Sequence, residues 1–161
     1  MKVIVVYYSL EGNTKYTAEK IASRLNADKL ELVSDKEYPT GKASKFIWGG
    51  KSVVFGEKPK LKPYNFDLLA YDAVIIGTPI WAGTFAPPIK TFISENQIKG
   101  KKIGLFACSS SGNADKCFAK LKAEMGAEKG AFTLSLKDPI REKQESDIEE
   151  IEKFCKNFLT E

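Results

Sequence analysis

The 161 residues contain no histidine. Without imidazole there is no Ser/His or Cys/His nucleophile pair and no histidine-ligated metal. Any proton transfer must come from carboxylates, lysines, tyrosines, water or a cofactor. Cysteine is scarce: Cys108, Cys117 and Cys155 form an odd set with no C-x-x-C. That excludes a disulfide framework and reads as buried packing thiols, with Cys108 closest to a candidate site. No apolar run approaches the ~20 residues of a membrane helix. Met1-Lys2 leads straight into a strand pattern, so no signal peptide and a cytoplasmic location are expected. The chain also lacks a G-x-G-x-x-G fingerprint and a G-K-[ST] phosphate loop. Repeats and linkers are missing too, and the length fits a single domain over residues 1–161.

Charge is nearly balanced, at +4 net. Much of the excess lies between Lys42 and Lys62, where Lys42, Lys45, Lys51, Lys58, Lys60 and Lys62 face only Glu57. Such a run is either a solvated face or a docking patch for an acidic partner. No nucleic-acid motif accompanies it, so nucleic acid is not an expected partner.

What is present is alternation. Residues 3–8 form an apolar, β-branched run that reads as a buried strand. A short turn follows, and then Ala18, Ile21, Ala22 and Leu25 recur at helical spacing. Further strands are expected at residues 29–33, 73–77, 102–108 and 132–136. Helices are expected at 43–55, from the Pro87-Pro88 pair onward, from Asp115 to Gly126, and at 146–159. The last of these should turn Ile148, Ile151, Phe154, Cys155 and Phe158 inward. Residues 78–84 read as a loop, and 57–65, with Pro59, Pro63 and Asn65, as a surface crossing. Strands alternating with helices imply a three-layer α-β-α sandwich around a parallel sheet. Ligands of such sheets sit beyond the carboxyl ends of the strands, where strand order reverses.

Three loops should converge there. The first, Ser9-Leu10-Glu11-Gly12-Asn13-Thr14, precedes a helix whose free N–H groups and dipole suit a phosphate. Ser9 and Thr14 can donate hydroxyl hydrogen bonds. The simpler alternative is a capped helix with Asn13 or Thr14 as N-cap. The second loop, Thr78-Pro79-Ile80-Trp81-Ala82-Gly83, carries an aromatic ring that can stack on a flat ligand or plug a gap over the sheet. The third, Ser109-Ser110-Ser111-Gly112 after Cys108, offers hydroxyl and backbone groups to the polar edge of a heteroaromatic ring, or is an ordinary turn. A phosphate end, an aromatic middle and a polar edge-reader describe a mononucleotide with a large flat base. The first loop has no cation to neutralise a polyphosphate, which favours flavin mononucleotide (FMN) over an adenine nucleotide.

Ser9-Leu10-Glu11-Gly12-Asn13-Thr14 resembles the Ser/Thr-x-Thr-Gly-x-Thr phosphate loop of the flavodoxin family. The Gly-Thr-Pro-x-Trp-x-Gly stretch at residues 77–83 resembles that family's flavin-stacking loop. The resemblance implies a five-stranded parallel sheet in the order 2-1-3-4-5 with bound FMN. Ser9, Asn13 and Thr14 would bind phosphate with backbone help from Leu10, Glu11 and Gly12. Trp81 would stack on the isoalloxazine, the peptides at Ala82-Gly83 would face its N5 edge, and Ser109 to Gly112 would line the pyrimidine end. Glu11 stands where the family pattern has threonine; beside a phosphate a carboxylate is repelled, so it should face solvent. Phe85 and Trp48 both remain candidates to cover the outer flavin face.

The implied function is electron transfer between redox proteins, with FMN cycling through a semiquinone. The net basic charge points to redox partners with acidic docking faces, and the chain is expected as a monomer or weak dimer. An NAD(P)H-dependent flavin or quinone reductase using the same FMN is the alternative reading. An FMN-binding assembly or sensing domain is a third.

Overall fold

Val3–Tyr7 forms β1, buried along its whole length. In the computed structural model, which describes residues 1–38, 56–127, 130–142 and 144–160, this strand has neighbours on both sides. It pairs in parallel with β2 (Asp28–Glu31) and with β3 (Ala73–Trp81). Beyond β3 lie β5 (Lys102–Ser109) and β6 (Ala131–Lys137), again parallel. The path β2-β1-β3-β5-β6 is the expected 2-1-3-4-5 order once β4 (Thr84–Phe85), a short strand hanging from β3, is set aside.

The apolar runs are continuous because helices cover both faces. Alternate residues sort the core into two halves. Ile4, Val6, Val74, Ile76, Ile103 and Leu105 face α2 (Pro87–Asn96) and α3 (Asp115–Met125). Val3, Val5, Tyr7, Ala73, Ile75 and Phe106 face α1 (Asn13–Leu25) and α5 (Glu145–Thr160). Pro87 and Pro88 open α2, where missing N–H groups cost nothing. Gly126 closes α3 at φ 63°. Gly77 is required by packing: a Cβ there would stand 2.0 Å from Cζ of Phe106, its partner across the β3–β5 register.

Several expectations need correction. Residues 78–84 are not a loop. Strand β3 runs through to Trp81 and folds back as a hairpin, with Ile80 opposite Phe85 and Trp81 opposite Thr84. Its two turn residues, Ala82 and Gly83, both have positive φ (48° and 71°), as a type I′ turn demands. Residues 57–65 do not merely cross the surface. Asp35 N–H donates to Lys60 O and Lys62 N–H to Val33 O, so the segment continues the sheet edge beyond β2. A helical turn, α4 (Pro139–Glu142), occupies a stretch read as loop. In α5, Ile148 is 43% exposed, and Asp147 takes the inward position in the first turn. The helix expected at 43–55, with Trp48 and Lys42, Lys45 and Lys51, lies outside the described residues.

Candidate functional site

Because β1, β3 and β5 are adjacent and in register, their carboxyl ends emerge side by side. Tyr7 lies opposite Gly77, Gly77 opposite Phe106, and Pro79 opposite Cys108. The first and third loops are therefore two strand spacings apart, about 10 Å, with the β3–β4 hairpin rising between them.

The first loop is built on Ser9. Its Oγ accepts hydrogen bonds from the N–H groups of Gly12 (3.2 Å) and Lys15 (3.2 Å), and Tyr16 N–H donates to Gly12 O at 2.8 Å. Gly12 is the N-cap at φ 95°, so neither Asn13 nor Thr14 caps the helix. The N–H groups of Asn13 and Thr14, the first two helical residues, are left without an acceptor among the described residues. That is a main-chain anion cradle at the positive end of a 13-residue helix. Ser9 Oγ is occupied as an acceptor, which leaves its hydroxyl hydrogen to donate. Thr14 is buried. Glu11 is exposed, as expected. Lys15 reaches sideways to Glu31 of β2 at 2.8 Å, so it does not reinforce the cradle. The Asn13 side-chain amide is engaged within the protein. Its Oδ1 accepts from Ile140 N–H (3.0 Å) and its Nδ2 donates to Asp138 Oδ1 (3.4 Å).

The third loop repeats the geometry of the first. Gly112 N–H donates to Ser109 Oγ at 3.1 Å, with Gly112 at φ 73°. Ser109 and Ser111 hydroxyls share a hydrogen bond of 3.2 Å, while Ser135 Oγ donates to Gly112 O at 2.6 Å. Ser110 and Ser111 are exposed on the rim.

On the hairpin, Trp81 is half-buried between two tyrosines. Its ring centre lies 5.8 Å from Tyr8 and 5.0 Å from Tyr38, both edge-to-face. Neither tyrosine was singled out by sequence: Tyr8 hides inside an apolar run and Tyr38 inside a loop. Burial, then the Tyr38 charge, pushes the Tyr8 hydroxyl well above its usual range. The Tyr8 ring is therefore a neutral, hydroxyl-bearing surface at neutral pH. Phe85 is buried in the core against Ile80 and does not cover an outer face. Pro79 and Ile80 lie half-buried along the hairpin. Thr78 is fully buried; its Oγ1 accepts from Ala86 N–H at 3.0 Å and donates to Pro79 O, tying the hairpin to α2. Cys108 points away from the rim, beneath the first turn of α1, with Sγ 3.4 Å from Thr17 Oγ1. Burial pushes its thiol up to about 12, against hydrogen bonds from Thr17 and Thr14 that lower it. It is no nucleophile at neutral pH. Two further residues went unforeseen, Asp138 and Ile140, which bind Asn13 from the far edge of the sheet.

Among the described residues no cluster of carboxylate or thiol groups could hold a metal ion, and no helix is long and apolar enough to cross a membrane.

Fold and loops together define an open, doubly wound α/β protein with its ligand rim at the carboxyl edge of a parallel sheet. The family model described as Flavodoxin matches residues 2–132. The chain belongs to the flavodoxin family. Among solved structures, it is similar to a flavoprotein from Lactobacillus acidophilus in complex with FMN: TM-score 0.72, 24% identity, covering 90% of this chain and 98% of that one. A flavoprotein from Bacteroides eggerthii superposes with TM-score 0.79 at 23% identity over 99% of both chains. A flavodoxin, WrbA-like protein from Agrobacterium tumefaciens does so with TM-score 0.60 at 22% identity, covering 98% of this chain and 94% of that one.

Proposed function

We propose that this chain binds FMN across the rim and carries electrons one at a time between redox proteins in the cytoplasm. The observation that carries the reading is the convergence of a main-chain anion cradle and a half-buried indole on adjacent strand ends. The phosphate would be held by the N–H groups of Asn13 and Thr14 and by the Ser9 hydroxyl, with Leu10, Glu11 and Gly12 shaping the turn. Trp81 would stack on the ring system, and the strained Ala82-Gly83 peptides would meet its N5 edge. Ser109, Ser110, Ser111 and Gly112 would read the pyrimidine edge. Thr78, Pro79, Ile80 and Cys108 support these loops from behind. When bound, FMN supplies the redox chemistry, and the protein sets its surroundings.

The partners of this reading are redox proteins with acidic docking faces. Lys58, Lys60 and Lys62 point outward from the segment whose Pro59 and Leu61 are buried. The reductase reading also has one observation in its favour. A cavity of about 430 Å³ opens beside the hairpin, lined by Thr84, Phe85 and Pro87 and by Lys90, Lys120, Glu57 and Glu124. That is large enough for part of a second substrate.

Two measurements decide. Purified protein soaked in FMN should show bound oxidised flavin in its absorbance spectrum, and dithionite titration should pass through a semiquinone. Rapid mixing with NADPH should leave the flavin oxidised; fast bleaching would replace the carrier by the reductase. Protein that stays colourless after soaking would remove both.

A further inference from the structure

Among the described residues, the Ser9 hydroxyl bonds only within residues 9–15. These bonds shape the turn at the end of β1. A long-range tie comes from the opposite edge of the sheet. Asn13 spends both ends of its amide on residues more than 120 positions away: Oδ1 on Ile140 N–H and Nδ2 on the Asp138 carboxylate. Ile140 also closes over the turn, its Cδ1 only 3.2 Å from where a Cβ on Gly12 would stand. Asparagine is a poor helix former, and this contact explains its place at the first helical position.

The strap is itself fixed. Asp138 N–H donates to Ser109 O at 3.1 Å, and the N–H groups of Arg141 and Glu142 return to Asp138 O at 2.8 and 3.0 Å. Lys137 pairs with Glu142 at 3.0 Å, and its Cβ would be 3.3 Å from a Cβ on Gly112. Residues 137–142 therefore clasp the first and third loops together, past the strand that separates them.

We infer that Asp138 and Ile140, acting through Asn13, are positioning residues that hold the phosphate cradle in place, and thereby set how strongly the chain prefers a 5′-phosphorylated flavin over the unphosphorylated one. The inference rests on the FMN reading above. The Asn13 side chain is a strut rather than a ligand; only its N–H meets the phosphate. Loosening the strut leaves the first turn of α1 less firmly set, which weakens a ligand that uses its two N–H groups and leaves one that lacks the phosphate untouched.

The test is fluorescence titration of the apoprotein with FMN and with riboflavin. Asn13→Ala should weaken FMN about tenfold, the scale of one or two lost hydrogen bonds, and riboflavin less than about twofold. Asp138 sits at φ 37°, which glycine and asparagine tolerate. Asp138→Gly therefore deletes the carboxylate without straining the chain and should weaken FMN by about threefold. Asp138→Asn keeps an acceptor oxygen and should restore the wild-type preference. The double variant Asn13→Ala/Asp138→Gly should be no worse than Asn13→Ala alone, since both break one contact. Equal losses for FMN and riboflavin, or losses that multiply in the double variant, would overturn the inference. So would unchanged FMN affinity in the single variants. If the wild-type protein does not prefer FMN to riboflavin, the cofactor reading itself fails.

Discussion

The rings of Trp81 and Tyr38 lie 5.0 Å apart, centre to centre, with their planes at 66°. Tyr8 meets the same indole at 5.8 Å and 87°. These contacts hold Trp81 at the end of β3 rather than leaving it to swing on a loop. Its part in flavin binding should therefore be energetic and independent of the phosphate. Trp81→Ala should weaken FMN and riboflavin by the same factor, on the scale of about 1–3 kcal/mol found for ring stacking on aromatic side chains. Fluorescence titration checks it; a loss confined to FMN would place the indole elsewhere.

Gly77 faces Phe106 across two paired strands, and an added methyl would sit 2.0 Å from the ring. Phe106 is fully buried and has nowhere to go. Gly77→Ala should destabilise the fold by about 3 kcal/mol, seen as a lower urea midpoint at unchanged m. Phe106→Leu added to that variant should recover part of the loss, because it removes the clash.

Ala82 holds φ 48° at the first position of the hairpin turn. Left-handed backbone costs a non-glycine residue about 1–2 kcal/mol, and asparagine is favoured there. Ala82→Asn should raise the unfolding midpoint by about 1 kcal/mol equivalent. A lower midpoint would mean that the turn is held by something other than its own backbone preference.

All three thiols are buried, with Cys108 and Cys117 pushed up to about 12 and Cys155 to about 11, in each case chiefly by burial. In the unfolded chain they ionise near ~8.5. Below that pH both states hold the proton and the thiols give no pH dependence. Above it the unfolded chain releases protons first, so stability falls as pH rises toward 11–12. Each thiol contributes up to about 1.4 kcal/mol per pH unit. Ellman's reagent should find no reactive thiol in native protein at pH 8 and all three cysteines of the sequence after denaturation.

The parts of this molecule that the sequence makes legible are those whose information is local. Residues 3–7, 73–77 and 102–108 read as strands because helices on both faces leave no position for a polar side chain. The Ser9 turn and the tryptophan stretch stood out for the same reason, as short departures from such runs. The hairpin did not, because Ala82-Gly83 lacks the Asn-Gly or Asp-Gly pair that marks a type I′ turn. The bond from Asn13 to Asp138 did not either, since nothing within several residues of Asn13 encodes a partner 125 positions away. Asp147 shows the opposite failure. Periodicity favours Ile148 as the inward residue of α5, yet the first turn buries the carboxylate beside it, and Asp147 Oδ2 finds no hydrogen bond among the described residues.

Strand β2 lies at the end of the sheet, and just past it the chain makes one further antiparallel contact. Beyond Glu31 the polypeptide takes residues 60–62 alongside residues 33–35. Lys58, Lys60 and Lys62 then stand along the outside of that margin. A second chain approaching past the end of β2 meets exposed lysines, a charged border that disfavours edge pairing. The same border leaves room for side-on encounters governed by ionic strength, so contacts made there should loosen as salt is added.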